Sequence, residues 1–220
     1  MLRLSLVLVA ALALSACGGS GPKAITTPRE GDFQVGKADA PVTVTEYASA
    51  SCTHCALFNN EVFEQAKAKY VDTGQVRWVM REILTPPESV SAAGFMTAHC
   101  AGPDKAYSVL DAIFRGVGQN PQGFLADAPR DHLLAVAQSA GMTEKQFDAC
   151  VNDANALEAL KKRVTRNSKD GVTGTPTFFV NGVKLDNNKD MTLARLDAVI
   201  AAAKDGKDPA DADKAFKAPK

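Results

Sequence analysis

The stretch PVTVTEYASASCTHCALF, residues 41–58, decides how this chain is read. Its first part alternates and is rich in β-branched residues, which predicts a strand over 41–47 with Val42, Val44 and Glu46 on one face. Its second part holds Cys52 and Cys55, with His54 just before the second cysteine. A Cys-x-x-Cys pair alone fits a metal site, a structural disulfide or a reactive dithiol. The surrounding chain has to choose among them.

Working outward, Cys55, Phe58, Val62, Ala66 and Tyr70 recur at three- and four-residue intervals, predicting a helix over 52–70 that stops at Asp72-Thr73-Gly74. QVRWVMREI, 75–83, reads as a second strand, with Trp78 between Val76 and Met80 as a core residue. Cys52 then stands at the strand-to-helix junction of a β-α-β unit. From Pro86 the texture turns helical, with candidates at 88–101, 104–116, 129–140, 143–152 and 154–168 separated by signals such as AGPD and QNPQG. TPTFFVNGVKL, 175–185, predicts a hairpin turned at Asn181-Gly182. A last amphipathic helix carries Leu193, Leu196, Val199, Ile200 and Ala203, and the Lys-, Asp-, Ala- and Pro-rich residues after Gly206 read as a frayed tail. The order β-α-β, helical block, β-β-α implies an α/β fold: one mixed sheet flanked by helices, with an all-helical insertion.

Composition narrows the class. The 220 residues are 45% hydrophobic, enough for one good core and too few for two large domains. Lys+Arg and Asp+Glu number 25 each, so no basic balance points to a nucleic-acid partner. The N-terminus speaks to compartment. MLRLSLVLVAALALSAC has Arg3 followed by an apolar run to Ala13, the length of a signal-peptide core and too short for a membrane span. It ends in LSAC, which resembles a bacterial lipobox that would place a lipid on Cys17. The alternative is an ordinary signal peptide cut near Ala16, and either reading exports the chain. GGSGPKAITTPRE then reads as a flexible tether. Setting Cys17 aside leaves Cys52, Cys55, Cys100 and Cys150, an even number that suggests two disulfides in an exported protein.

At the start of a helix, unpaired N–H groups and the helix dipole favour a thiolate on Cys52, the nucleophilic form in disulfide exchange. Cys55 lies one turn further in. His54 can add a hydrogen bond or a positive charge, or can be a solvated surface residue. Glu46 has two open readings: a buried acid with a raised pKa that shuttles the Cys55 proton, or a strand-end carboxylate turned to water. In GVTGTPTFF, 171–179, Pro176 stands at a strand start, where an X-Pro bond in a tight turn can be cis.

VTVTEYASASCTHC, GQVRWVMREI, the helical insert and GVTGTPTFFVNG together resemble the DsbA-like branch of the thioredoxin superfamily, over about Asp32 to Lys204. The resemblance implies that Cys52 attacks, Cys55 resolves, Glu46 is buried beneath the pair, and Thr175 with a cis Pro176 contacts substrate. It also implies a structural bridge between Cys100 and Cys150, for which two free thiols or a second redox pair are the alternatives. The Thr53-His54 dipeptide keeps the histidine of strongly oxidising members and replaces the usual proline, and Thr175 is more typical of isomerase relatives. The domain reading is then a signal peptide over 1–16, a tether over 17–31, a thioredoxin-like domain over 32–85 and 169–206, a helical insert over 86–168 and a flexible tail over 207–220.

The functional expectation is an oxidase of secreted proteins that needs no cofactor, since the cysteines carry the electrons. A DsbB-like membrane partner would reoxidise it. The chain is expected to be a monomer, in the periplasm, tethered to the membrane through Cys17. The same residues run backwards would make a reductase or isomerase. A Cu(I) chaperone is the reading from another class, since a reduced Cys-x-x-Cys is a soft copper site. Zinc is not expected, because the histidines are scattered and there is no second Cys-x-x-Cys.

Overall fold

The computed structural model describes residues 25–217. The predicted signal peptide and Cys17 lie outside them. The strands are β1 (Phe33–Val35), β2 (Val42–Ala48), β3 (Val76–Glu82), β4 (Thr177–Val180) and β5 (Val183–Lys184). They form one sheet in the order β1-β3-β2-β4-β5. β2 and β3 are parallel, with Val44 opposite Trp78 and Glu46 opposite Met80, and the other pairs are antiparallel. A parallel pair needs a crossover, and the predicted helix supplies it. This helix, α1, runs from Thr53–Phe58 through a π turn, Asn59–Phe63, then Glu64–Ala66 and a second π turn, Lys67–Val71. Each wide turn holds an extra residue, so α1 departs from the regular helix the spacing predicts. Phe58, Val62 and Phe63 are all buried along it.

The helical block contains α2 (Glu88–Cys100), α3 (Pro103–Gln119), a π turn (Gly123–Asp127), α4 (Pro129–Ser139), α5 (Glu144–Val151) and α6 (Ala154–Ser168). After the β4–β5 hairpin come α7 (Leu193–Lys204) and α8 (Pro209–Ala215). The hairpin turns at Asn181 and Gly182, both at positive φ (48° and 82°), the geometry that the Asn-Gly pair suits. β1 is a strand the sequence reading missed. Three residues are too few to show a period of two.

Two cores share the molecule. Val42, Val44, Trp78, Phe178 and Val180 of the sheet pack with Phe58 and Phe63 of α1 and with Leu196, Val199 and Ile200 of α7. The second core gathers Phe95, Leu110, Ile113, Phe114, Phe147 and Leu160 from the helical block, and Ala48, Ala50 and Cys55 belong to it. Cys55 is therefore held where the helical block meets the sheet. α2 comes close there because position 94 is glycine: a Cβ would sit 2.9 Å from the Ala50 methyl.

Both ends of the domain depart from expectation. Within the predicted tether, Ile25 is buried against Tyr47 and Phe179. Arg81 donates to Asp32 (3.1 Å), to the Tyr47 hydroxyl (2.9 Å) and to the Thr27 carbonyl (2.9 Å), while Arg29 Nη2 donates to Asp170 (3.0 Å). Residues 25–31 are thus docked, because buried guanidinium and carboxylate groups must be paired. At the other end, the predicted tail forms α8 over Pro209–Ala215, capped by the Asp208 side chain, with Asp213 buried in an ion pair with Arg195 (2.6 Å).

Candidate functional site

Cys52 is the N-cap of α1. Its backbone is extended (φ −82°, ψ 115°) and its sulfur accepts the Cys55 N–H at 3.2 Å. Across the site, the Thr175 carbonyl accepts from the Cys52 thiol at 3.4 Å, and the Thr175–Pro176 peptide is cis. Cys52 is partly exposed, whereas Cys55 is buried, and both are free thiols. These settings pull the two sulfurs apart. The Cys52 pKa is lowered to about 6, chiefly by the Cys55 thiol hydrogen bond, with help from Thr175 and from the N–H groups of Cys55 and His54. Burial pushes the Cys55 thiol well up, and the neighbouring Cys52 and Glu46 add to it.

Glu46 is the buried acid of the two readings, only 2% exposed. Trp78 Nε1 donates to its Oε2 at 3.1 Å. Burial raises its pKa to about 8; the Trp78 bond opposes this and the charge on Cys52 adds to it. The acid is therefore mostly protonated at neutral pH, and its charge, when present, raises the pKa of the buried Cys55 thiol.

His54 takes the solvated position of its two readings. Its ring is exposed on the site rim, and no hydrogen bond from it is found among the described residues. Its backbone N–H, at the head of α1, helps to lower the Cys52 pKa. Cys100 and Cys150 are joined in a disulfide that ties α2 to α5. Among the described residues, no group of three or more His, Cys, Asp or Glu is placed to hold a metal ion, and no helix is long and apolar enough to cross a membrane.

Sequence reasoning missed two features. One is a buried hydroxyl cluster that sets the β2–α1 loop: Ser49 bonds Ser91 (2.8 Å) and Thr85 (2.8 Å), and Ser51 donates to the Thr85 carbonyl (2.8 Å). The Ser49 carbonyl in turn accepts the Cys52 N–H (3.0 Å). The signal was the serines flanking Ala50, which suit a turn rather than a strand. The other is Leu57, a large apolar side chain left 50% exposed. Together with His54 and Glu61 it lines two grooves, one of about 430 Å³ shared with Thr175, Pro176 and residues 185–192, the other of about 550 Å³ shared with Arg115 and Gly118.

The comparisons with known proteins agree with this geometry. A family described as Thioredoxin matches residues 29–202. A Rickettsia bellii protein provisionally named protein-disulfide oxidoreductase is 29% identical over 179 residues, 80% of this chain and 67% of that protein; for the Rickettsia conorii relative the chain spans only 56%. Disulfide bond formation protein D of Bacillus subtilis is 21% identical over 73% of this chain and 72% of its own. The crystal structure of Wolbachia pipientis alpha-DsbA1 superposes with a TM-score of 0.70 at 25% identity, covering 81% of this chain and 94% of that one. With a five-stranded mixed sheet, a helical insert and a Cys-x-x-Cys at the head of α1, the chain belongs to the thioredoxin family and has the fold of its DsbA-like branch.

Proposed function

We propose that the chain is an exported thiol–disulfide oxidoreductase acting mainly as an oxidase of folding proteins through Cys52 and Cys55. The observation that carries this reading is the split between the two sulfurs: an accessible Cys52 with a pKa of about 6 above a buried Cys55 whose pKa is pushed up. At pH 7, one unit above that pKa leaves roughly ten thiolates per thiol. Relative to an ordinary cysteine, this favours the dithiol over the disulfide by the order of 30 mV before solvent screening, which makes the disulfide the stronger oxidant.

In the catalytic cycle, a substrate thiolate attacks Cys52 of the Cys52–Cys55 disulfide. The substrate–Cys52 bond forms, the Cys52–Cys55 bond breaks, and Cys55 leaves as a thiolate. Buried and costly as an anion, Cys55 takes the proton of Glu46, whose raised pKa keeps it loaded. A second substrate thiolate then attacks the substrate sulfur and expels Cys52, a good leaving group because its pKa is low. The substrate leaves with a disulfide, and its two electrons stay on Cys52 and Cys55. Thr175 and Pro176, beside the Cys52 sulfur, are positioned to contact the substrate backbone. A DsbB-like membrane partner would remove the electrons. Lipidation of Cys17 would tether a periplasmic monomer to the membrane.

The reductase or isomerase reading uses the same residues and is favoured by Thr175 before the proline. Equilibration with a glutathione buffer separates the oxidase from the reductase. An oxidase should give a potential above about −180 mV, and a value near −270 mV would transfer the assignment to a reductase.

A further inference from the structure

The groove beside Thr175 and Pro176 is lined by α1 and by Asp186–Asp190, a segment outside the regular helices and strands. Something other than a hydrogen-bonded ladder must hold that segment. Arg195 of α7, 1% exposed, does so. Its guanidinium donates to the carbonyls of Asp186 (2.6 Å), Lys189 (2.5 Å) and Asp190 (3.4 Å). Its Nε donates to Asp213 Oδ1 in α8 at 2.6 Å. Asp213 closes the circuit: its Oδ2 accepts the Asp186 N–H (2.7 Å) and its carbonyl accepts from Lys189 Nζ (3.0 Å). α8 buries only Pro209 and Asp213, and the polar contacts of Asp213 go to Arg195 and to this segment.

We propose that α8 is a clamp for the groove: Asp213, acting through Arg195, positions Asp186–Asp190 and so sets how a polypeptide substrate seats beside Cys52, without entering the thiol chemistry. The inference rests on the oxidoreductase reading above. Removing Asp213 leaves a buried guanidinium without its counter-charge, and that cost falls on the segment whose carbonyls share the same group. Polypeptides must lie along the groove to react. A small dithiol needs only the Cys52 sulfur. The clamp therefore acts on one substrate class and not on the other.

The experiment compares the full chain with its Asp213→Ala variant against two reductants of the Cys52–Cys55 disulfide, a reduced two-cysteine peptide and dithiothreitol. The expected result is that the peptide concentration giving half the maximal single-turnover rate of Cys52–Cys55 disulfide reduction rises by roughly tenfold, with the dithiothreitol rate and the Cys52 titration curve unchanged, since misplacing a binding wall costs binding and not chemistry. An unchanged half-saturating peptide concentration, or equal losses with both reductants, overturns the clamp. If the alanine variant does not fold, Asp213→Asn, which keeps an acceptor oxygen for Arg195, should show the same split at smaller amplitude, and an absence of split there overturns it equally. A wild-type chain whose Cys52–Cys55 disulfide is reduced by neither reagent refutes the oxidoreductase reading itself, so the two failures are distinct.

Discussion

The molecule carries two cysteine pairs with the same atoms and different surroundings. Cys52 and Cys55 are three residues apart at the head of one helix, as free thiols. Cys100 and Cys150 are 50 residues apart, joined between two helices of the insert. The first pair has an exposed and a buried member, a carbonyl across the site and a raised carboxyl beneath. In the second, Cys150 sits in an apolar helical core with Phe95, Phe147 and Leu160. Cysteine alone does not make a site reactive. A facing carbonyl does not either, since the Met96 carbonyl lies 3.2 Å from the Cys150 sulfur; it takes helix N–H groups and a buried acid as well, which the first pair has.

The contrast breaks most directly by exchange of single atoms. Cys52→Ser should abolish catalysed disulfide exchange, and Cys55→Ser should accumulate mixed disulfides on Cys52, visible on non-reducing gels. Alkylation of Cys52 should be half-maximal near pH 6 and fall away below it, as the thiolate is lost. A Cys52→Ser chain with full activity would end the proposed mechanism.

The second pair should answer in stability rather than activity. Closing a 50-residue loop stabilises by about 4 kcal/mol in the chain-entropy model. The Cys100→Ser/Cys150→Ser double variant should therefore unfold at lower denaturant by about that amount while keeping the Cys52 titration curve. Peptide mapping of the native chain after mild reduction should find Cys100 and Cys150 still linked when Cys52 and Cys55 are open. If the double variant loses exchange activity yet stays folded, the pairs are not separate in role.

Much of this contrast was legible before any coordinates. β2, α1, β3 and the hairpin follow from periodicities of two and near 3.6 and from the Asn181-Gly182 turn, all local signals. Cys52 and Cys55 stand out by spacing. The burial of Glu46 could not be read locally, because it depends on Trp78, a partner 32 residues away that supplies the compensating N–H. The docking of Ile25 and Arg29 and the fold of α8 were hidden for the same reason. Their compositions are those of tethers and tails, and what orders them is a single buried charge with a distant partner: Asp170 for Arg29, Asp213 for Arg195. Ion pairs at long separation leave no periodic trace.

Glu46→Gln sharpens the comparison at somewhat smaller magnitude. The folded pKa of Glu46, about 8, lies above the ordinary carboxyl value of about 4.5. The folded state therefore holds this proton more tightly, and stability is lost as pH rises from about 4.5 to 8. At pH 7 the loss is of the order of 3 kcal/mol. Glutamine can still accept from Trp78 and carries no proton to lose. The reduced variant should be more stable than wild type at pH 7 by about that amount and indistinguishable near pH 4, while its exchange steps involving Cys55 slow. Equal denaturation midpoints at pH 7 would mean that Glu46 is not the buried acid of the site.

The smallest effect belongs to His54. A histidine between the cysteines invites the idea that an imidazolium holds the Cys52 thiolate. The structure divides the residue differently: the side chain is exposed on the groove rim, while the backbone N–H helps to lower the Cys52 pKa. Alanine removes the ring and keeps the N–H, the Cys55 contacts and the Thr175 carbonyl. His54→Ala should therefore move the Cys52 pKa by less than about one unit, and the potential by less than about 30 mV, in the less oxidising direction. Thiolate absorbance against pH and equilibration with glutathione measure both. A Cys52 pKa returning to the ordinary thiol range would overturn the division and make the ring, not the Cys55 thiol and the groups around it, the source of the low pKa. The split between the two cysteine pairs would then rest on one side chain rather than on the fold around it.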